Sequence, residues 1–125
     1  MIFRNNKEIL GTSMVKATLN EGKYKAIIKR IIYLRHCKTD WGFRDFLEVI
    51  YNISVGVTDQ EKREKIMVSK AENSKCFNFL MDVYNGNIPD EINIDELAGK
   101  KCTLTIKHNN KNGNVYANIV ERKFN

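Results

Sequence analysis

The fold turns on one stretch, "KYKAIIKRIIYLR", Lys23 to Arg35. Its β-branched content, and the alternation of Lys25, Ile27, Lys29, Ile31 and Tyr33, favour a long strand over a helix. Downstream, "HCKTDWG" supplies turn chemistry, and "FRDFLEVIYNIS" (Phe43 to Ser54) repeats the two-residue period with Leu47, Val49, Tyr51 and Ile53 on one face. "VGVTDQ" reads as a loop, and Glu64 to Val68 as a short third strand.

The period then changes. Ser69-Lys70-Ala71-Glu72 has the form of a capping box, and behind it Cys76, Phe77, Leu80, Val83 and Tyr84 fall at helical spacing, a core-facing stripe. Asn85-Gly86 tolerates the left-handed backbone that ends helices. A polar connection with one turn at Asp95–Ala98 leads into "KKCTLTIKHNNKNGNVYANIVERKF", two strands around a polar turn ending in Asn112-Gly113. Residues 1–20 give weaker signals, a short helix around Asn6–Leu10 and a break at 11–13, and read as an extension of a domain at 21–125. Three strands, a helix and two strands is the order of an OB-fold, a five-stranded Greek-key barrel. A flat α+β sheet with the helix on one face is the rival.

Length fits one domain, and no stretch approaches the roughly 20 apolar residues of a spanning helix. With no signal-peptide pattern at the start, the cytoplasm is the expected compartment. Cys37, Cys76 and Cys102 are too widely spaced for a zinc knuckle or a redox pair and read as small hydrophobes. Net charge is +6, and the signs are segregated. Gly22 to Lys38 carries six Lys or Arg and no acid, and Gly99 to Asn125 carries six against Glu121 alone. Cys76 to Gly99 holds five acids and no base. Such blocks imply one basic and one acidic face, provided the fold brings the two basic segments together.

Catalytic chemistry is poorly supplied. His36 and His108 lack metal-ligand spacing. Asp45 and Glu48 point to opposite faces of a strand, and the acids at 90–96 lack the glycine and spacing of a calcium loop. The expectation is a binding module with no cofactor. Single-strand binders combine a cationic groove for phosphates with aromatic rings for bases. Lys25, Lys29, Tyr33 and Arg35 stand at alternating positions of the first strand and so share a face, as do Arg44 with Phe46, and Thr103 and Thr105 with Lys107. Trp41 lies in the first turn and Lys111 in the last. Lys25, Lys29, Arg35, Arg44, Lys107 and Lys111 are the candidate phosphate contacts, and Tyr33, Trp41 and Phe46 the candidate stacking platforms.

Three stretches, "LNEGKYKAIIK", "DFLEVIYNISVG" and "ELAGKKCTLTIKH…NGNVYANIVE", resemble small OB-fold single-stranded DNA-binding proteins encoded by phages of Gram-positive bacteria. The likeness spans Leu19 to Glu121. It implies an OB-fold that binds single-stranded DNA without sequence preference in phage replication or recombination. The implied partners are single-stranded DNA and a replication or recombination protein of phage or host, with self-association open and no membrane. Many single-strand binders end in an acidic recruiting tail, whereas this chain ends "VERKFN". The alternative is an OB-like phage protein that binds and inhibits a host protein, with Trp41 as interface anchor.

Overall fold

The computed structural model describes residues 19–125, so the expected helix at 6–10 and break at 11–13 lie outside the described residues. The elements are β1 (Gly22–Thr39), β2 (Gly42–Val55), β3 (Thr58–Met67), α1 (Lys75–Val83), a 3-10 turn (Ile94–Leu97), β4 (Lys101–Lys111) and β5 (Asn114–Phe124). All five strands form one antiparallel sheet in the order β3-β2-β1-β4-β5. The architecture is mainly β with one helix between the third and fourth strands. β3 and β5 are the two edges, and among the described residues no ladder closes them into a barrel.

One face of the sheet is the core. Ala26, Ile28 and Ile31 of β1, Leu47, Val49, Tyr51 and Ile53 of β2, and Leu104 and Ile106 of β4 are buried there. α1 covers them with Cys76, Phe79 and Val83, and the 3-10 turn adds Leu97. Phe79 meets Phe124 of β5 edge to face, ring centroids 6.5 Å apart, a favoured aromatic geometry. The helix begins five residues later than the apparent capping box suggests. Ser74 is its N-cap, accepting the Phe77 N–H at 3.1 Å, while Ser69 accepts the Ala71 N–H in a local turn. The buried stripe is therefore Cys76, Phe79 and Val83, with Phe77 at its margin.

β1 does not alternate throughout. Ile28 lies opposite Tyr51 and Arg30 opposite Ile50, which leaves Lys29 as an extra residue in a bulge. A bulge exchanges the faces of everything beyond it. Lys25 and Ile27 therefore point away from the core, whereas Ile31 and Tyr33 pair with Val49 and Leu47 on the core side. A second bulge lies between Leu34 and Cys37, where His36 takes φ 53. β1 then runs on to Thr39, beyond the expected end at Arg35, and "HCKTDWG" contracts to a two-residue turn, Asp40-Trp41.

β3 is likewise twice its expected length, reaching back to Thr58, and "VGVTDQ" contracts to the turn Gly56-Val57. The last hairpin turns at Asn112-Gly113, both left-handed (φ 53 and 82), as a twist-matched two-residue turn requires.

Candidate nucleic-acid interface

Cross-strand partners share a face, so the register decides which cations meet. β1 pairs with β4 through Lys23↔Thr105, Lys25↔Thr103 and Ile27↔Lys101. β4 pairs with β5 through Thr103↔Lys123 and Lys107↔Asn118. Since Cys102, Leu104 and Ile106 point into the core, the side away from it carries Lys23, Lys25, Lys101, Lys107 and Lys123 on three neighbouring strands, all exposed. The two basic segments of the sequence meet here. α1, bearing Asp82, packs on the opposite side of the sheet.

This face keeps its charge. Among the described residues, none of these five ammonium groups has a carboxylate within 4.0 Å. The nearby carboxylates form no ion pair with these lysines, though they keep their own charge: Glu121 accepts from Thr105 Oγ1 at 3.2 Å, and Glu21 accepts the His108 N–H at 2.7 Å. That backbone bond, helped by Lys107, holds the Glu21 carboxyl below its ordinary value.

The outer face of β2 and β3 is different. Lys29 reaches Glu61 at 2.7 Å, and Arg63 bridges Glu61 (3.4 Å) and Glu48 (3.2 Å). The Lys29 bond lowers the Glu61 pKa. Phe46 lies under the Lys65 ammonium, 4.8 Å from its ring centroid, and Ile50 is fully buried beneath this ion-paired layer. The layer presents little uncompensated charge.

A third cluster is the ribbon beyond the reach of β3, where β1 and β2 continue alone to Thr39 and Gly42. Asp45 ties its base together, accepting from Tyr33 Oη (2.8 Å) and the His36 N–H (3.0 Å). These bonds, the His36 N–H first, lower the Asp45 pKa, and the same Asp45 raises that of Tyr33. Arg35 stacks over the Tyr33 ring at 4.9 Å, a cation–π contact. At the turn, Thr39 Oγ1 donates to Gly42 O and accepts the Trp41 N–H. Trp41 is 78% exposed and Phe43 63%.

No protein-family model matches the chain, and no curated protein matches it with significance.

The sequence-predicted residues thus fall into separate groups. Lys25 and Lys107 belong to the lysine face, and Lys111 is exposed at the end of the β4–β5 hairpin. Lys29 is held in the ion-paired layer, with Phe46 beside it. Tyr33, Arg35, Trp41 and Arg44 belong to the ribbon, where Arg44 Nη1 donates to Phe43 O. Tyr33 and Phe46 lie on opposite faces, paired with Leu47 and Leu34, so the expected shared face of Lys25, Lys29, Tyr33 and Arg35 does not form. Lys25 is separated by about 45 Å of strand, at about 3.3 Å per residue, from Thr39, which precedes the turn that carries Trp41. Lys23, Lys101 and Lys123 were not singled out, although two-residue spacing from Lys25 already places Lys23 beside it.

Nor does the sequence advertise the buried ionic network between the β3 and β5 edges. Glu64 of β3, 5% exposed, accepts from Tyr51 Oη (3.1 Å) and from Arg122 of β5 through Nε (3.0 Å) and Nη2 (2.6 Å). Arg122 Nη1 donates to Asp82 of α1 at 2.8 Å. Burial opposes the Arg122 charge, but Glu64 and Asp82 outweigh it and raise its pKa. Lys62 adds a bond to the Ala117 carbonyl at 2.6 Å. These side chains span the gap between the β3 and β5 edges. Burial also pushes the Cys102 thiol up to about 11, consistent with an inert core cysteine. Among the described residues, no group of three or more His, Cys, Asp or Glu is placed to hold a metal, and no helix is long and apolar enough to cross a membrane.

Proposed function

We propose that this protein binds single-stranded nucleic acid, DNA before RNA, on the lysine face of β1, β4 and β5. The observation that carries the reading is the β1–β4 ladder, which joins two distant basic segments into one patch of exposed lysines. Exposed ammonium groups at strand spacing suit a flexible polyanion, and threonine hydroxyls between them add donors to phosphate oxygens. An OB-like scaffold is part of the proposal. Its support is the pairing of β1 with both β2 and β4, the helix after β3, and edges β3 and β5 bridged by side chains. OB-folds bind largely through the β2–β3 face and the two hairpin loops. Here the β2–β3 face is ion-paired, so the weight moves to β1, β4 and β5.

The test is anisotropy of a labelled single-stranded oligonucleotide across a salt series. If all five lysines meet phosphates, the log–log slope approaches about −3.5, at about −0.7 per contact. Lys25→Glu with Lys101→Glu should weaken binding to every sequence and flatten that slope. Affinity indifferent to salt, or charge-reversed variants that bind as the parent does, would refute the proposal.

A second reading has its own observation: Trp41 and Phe43 stand exposed on a braced ribbon, far from the lysines. A rigid aromatic tip is good material for a protein-interface anchor, as the inhibitor alternative requires. A host-lysate pull-down lost in Trp41→Ala, with oligonucleotide affinity unchanged, would favour it.

A further inference from the structure

Within the lysine face lies a groove of about 470 Å³ whose lining includes Lys25, Ile27, Asn52, Asp59, Lys101 and Thr103. This is within the usual size range of small-ligand sites, about 300–1,000 Å³. Its arrangement follows from the register. Ile27, 40% exposed, is the apolar floor. Lys101 lies directly across from it and Lys25 two residues away on the same face. On the other side, Asn52 lies across from Ile27. Asn52 Nδ2 donates to Asp59 Oδ2 at 3.4 Å, which leaves Asn52 Oδ1 and the second Asp59 oxygen as acceptors. The groove is electrically two-ended, with two ammonium groups over β1 and β4 and a carboxylate with an amide oxygen over β2 and β3. The next carboxylate, Glu61, is already taken by Lys29 and Arg63.

We infer that this groove seats one nucleotide of the bound strand, its phosphate between Lys25 and Lys101, its ring on Ile27 and its amino-bearing edge at Asn52 and Asp59. A nucleotide has the same two-ended character, an anion joined to a flat apolar ring. Acceptors at the far end select bases with an exocyclic amine, cytosine, adenine and guanine, over thymine and uracil, whose carbonyl oxygens would face a carboxylate. The inference rests on the single-strand reading and sharpens it, from sequence-neutral binding to binding with one selective position.

Two measurements test it on the chain as it stands. Backbone amide shifts are followed by NMR while dCMP, dTMP or inorganic phosphate is added. Oligo-dC and oligo-dT are compared by anisotropy for the parent, Asp59→Asn and Ile27→Ser, with circular dichroism confirming each fold. dCMP should move the amides around Ile27, Asn52 and Thr103, and phosphate those near Lys25 and Thr103 alone. Oligo-dC should bind about tenfold tighter than oligo-dT, the effect of one hydrogen bond to a charged group. Asp59→Asn should erase that ratio and keep the salt slope, and Ile27→Ser should weaken both oligonucleotides. Equal binding of oligo-dC and oligo-dT by the parent overturns the seat and leaves the lysine-face reading standing. Absence of oligonucleotide binding overturns both. Mononucleotide binding without oligonucleotide binding overturns the placement within a strand.

Discussion

Arg122→Met should be the most damaging single change on the β5 edge, and the structure supplies its size. The substitution keeps much of the side-chain volume and removes three donors, two to Glu64 and one to Asp82. Glu64 stays 5% exposed with the Tyr51 hydroxyl and, at 3.5 Å, the Lys75 ammonium. Breaking a buried pair from one side costs about 3–5 kcal/mol, because the remaining carboxylate keeps only the half-exposed Lys75 as a cationic partner. A domain this small has about 5–15 kcal/mol in all, so the loss is a large fraction. With a urea m-value of about 2 kcal/mol per molar, the midpoint should fall by about 2 M.

Far-UV circular dichroism is the assay, since Trp41 is already exposed and reports unfolding poorly. The control is Tyr51→Phe with Glu64→Leu and Arg122→Met, which removes the whole polar group. Replacing a buried ionic cluster by apolar residues is often neutral or stabilising, so the triple variant should regain most of the loss. The reasoning fails if Arg122→Met alone costs under about 1 kcal/mol, or if the triple variant is as unstable as the single one. In the expected case, the variant also loses a clasp between two sheet edges, and unprotected edges pair between molecules. Light scattering should therefore rise with concentration for Arg122→Met and stay flat for the parent.

Trp41→Ala should leave stability within about 0.5 kcal/mol of the parent, as exposed positions do, and should leave single-strand affinity close to the parent's, because the ribbon tip lies at the far end of β1 from the lysine face; anisotropy and thermal melts read both, and a loss of about tenfold in affinity would mean that bases reach the indole. Lys25→Ala should weaken oligonucleotide binding more than Lys29→Ala, because Lys29 already neutralises Glu61; equal losses would mean that the ion pair opens on binding. Asp45 gives a pH prediction. Its pKa is lowered by the His36 N–H and Tyr33 Oη, so its contribution to the ribbon is fully present above the ordinary aspartate value of about 3.9. It is lost as pH falls through the lowered folded value. The His36 amide should therefore lose hydrogen-exchange protection only below about pH 4, and in Asp45→Asn the protection should be weaker throughout.

Most of the fold was legible because the buried strands write their period plainly. Leu47, Val49, Tyr51 and Ile53 alternate without interruption, so their shared buried face was legible. β3 was not, because an edge strand buries little: along "TDQEKREKIM" only Glu64 and Ile66 are buried, and the rest looks like a loop. The helix start was displaced because Ser69 and Ser74 are both credible caps, and tertiary packing of Phe79 chooses between them. For the site, the decisive feature is the bulge at Lys29. One inserted residue moved Tyr33 away from Lys25, and nothing in "KYKAIIKRIIYLR" marks it. The buried position of Glu64 was hidden for another reason. Its partner Arg122 lies 58 residues away, and charged residues are almost never fully buried unless paired.

The distribution of acids explains why the lysine face exists at all. The chain has 21 Lys and Arg against 15 Asp and Glu, an excess that could have been spread evenly. Instead the folded chain spends its carboxylates on β2, β3 and α1: Glu48 and Glu61 on Arg63 and Lys29, Glu64 and Asp82 on Arg122. Asp45 is taken by the ribbon's own donors. Among the described residues, Lys23, Lys25, Lys101, Lys107 and Lys123 of β1, β4 and β5 are therefore left without an ion pair. Across a single sheet their separations are of the order of the Debye length, about 8 Å at physiological ionic strength, so they act on an approaching polyanion as a group. Self-repulsion among them disfavours the compact state, and a bound polyanion would relieve it. A solvated surface with no ligand would gain from mixing the signs. Stability alone therefore gives no reason for the segregation, whereas capture of a phosphate chain does.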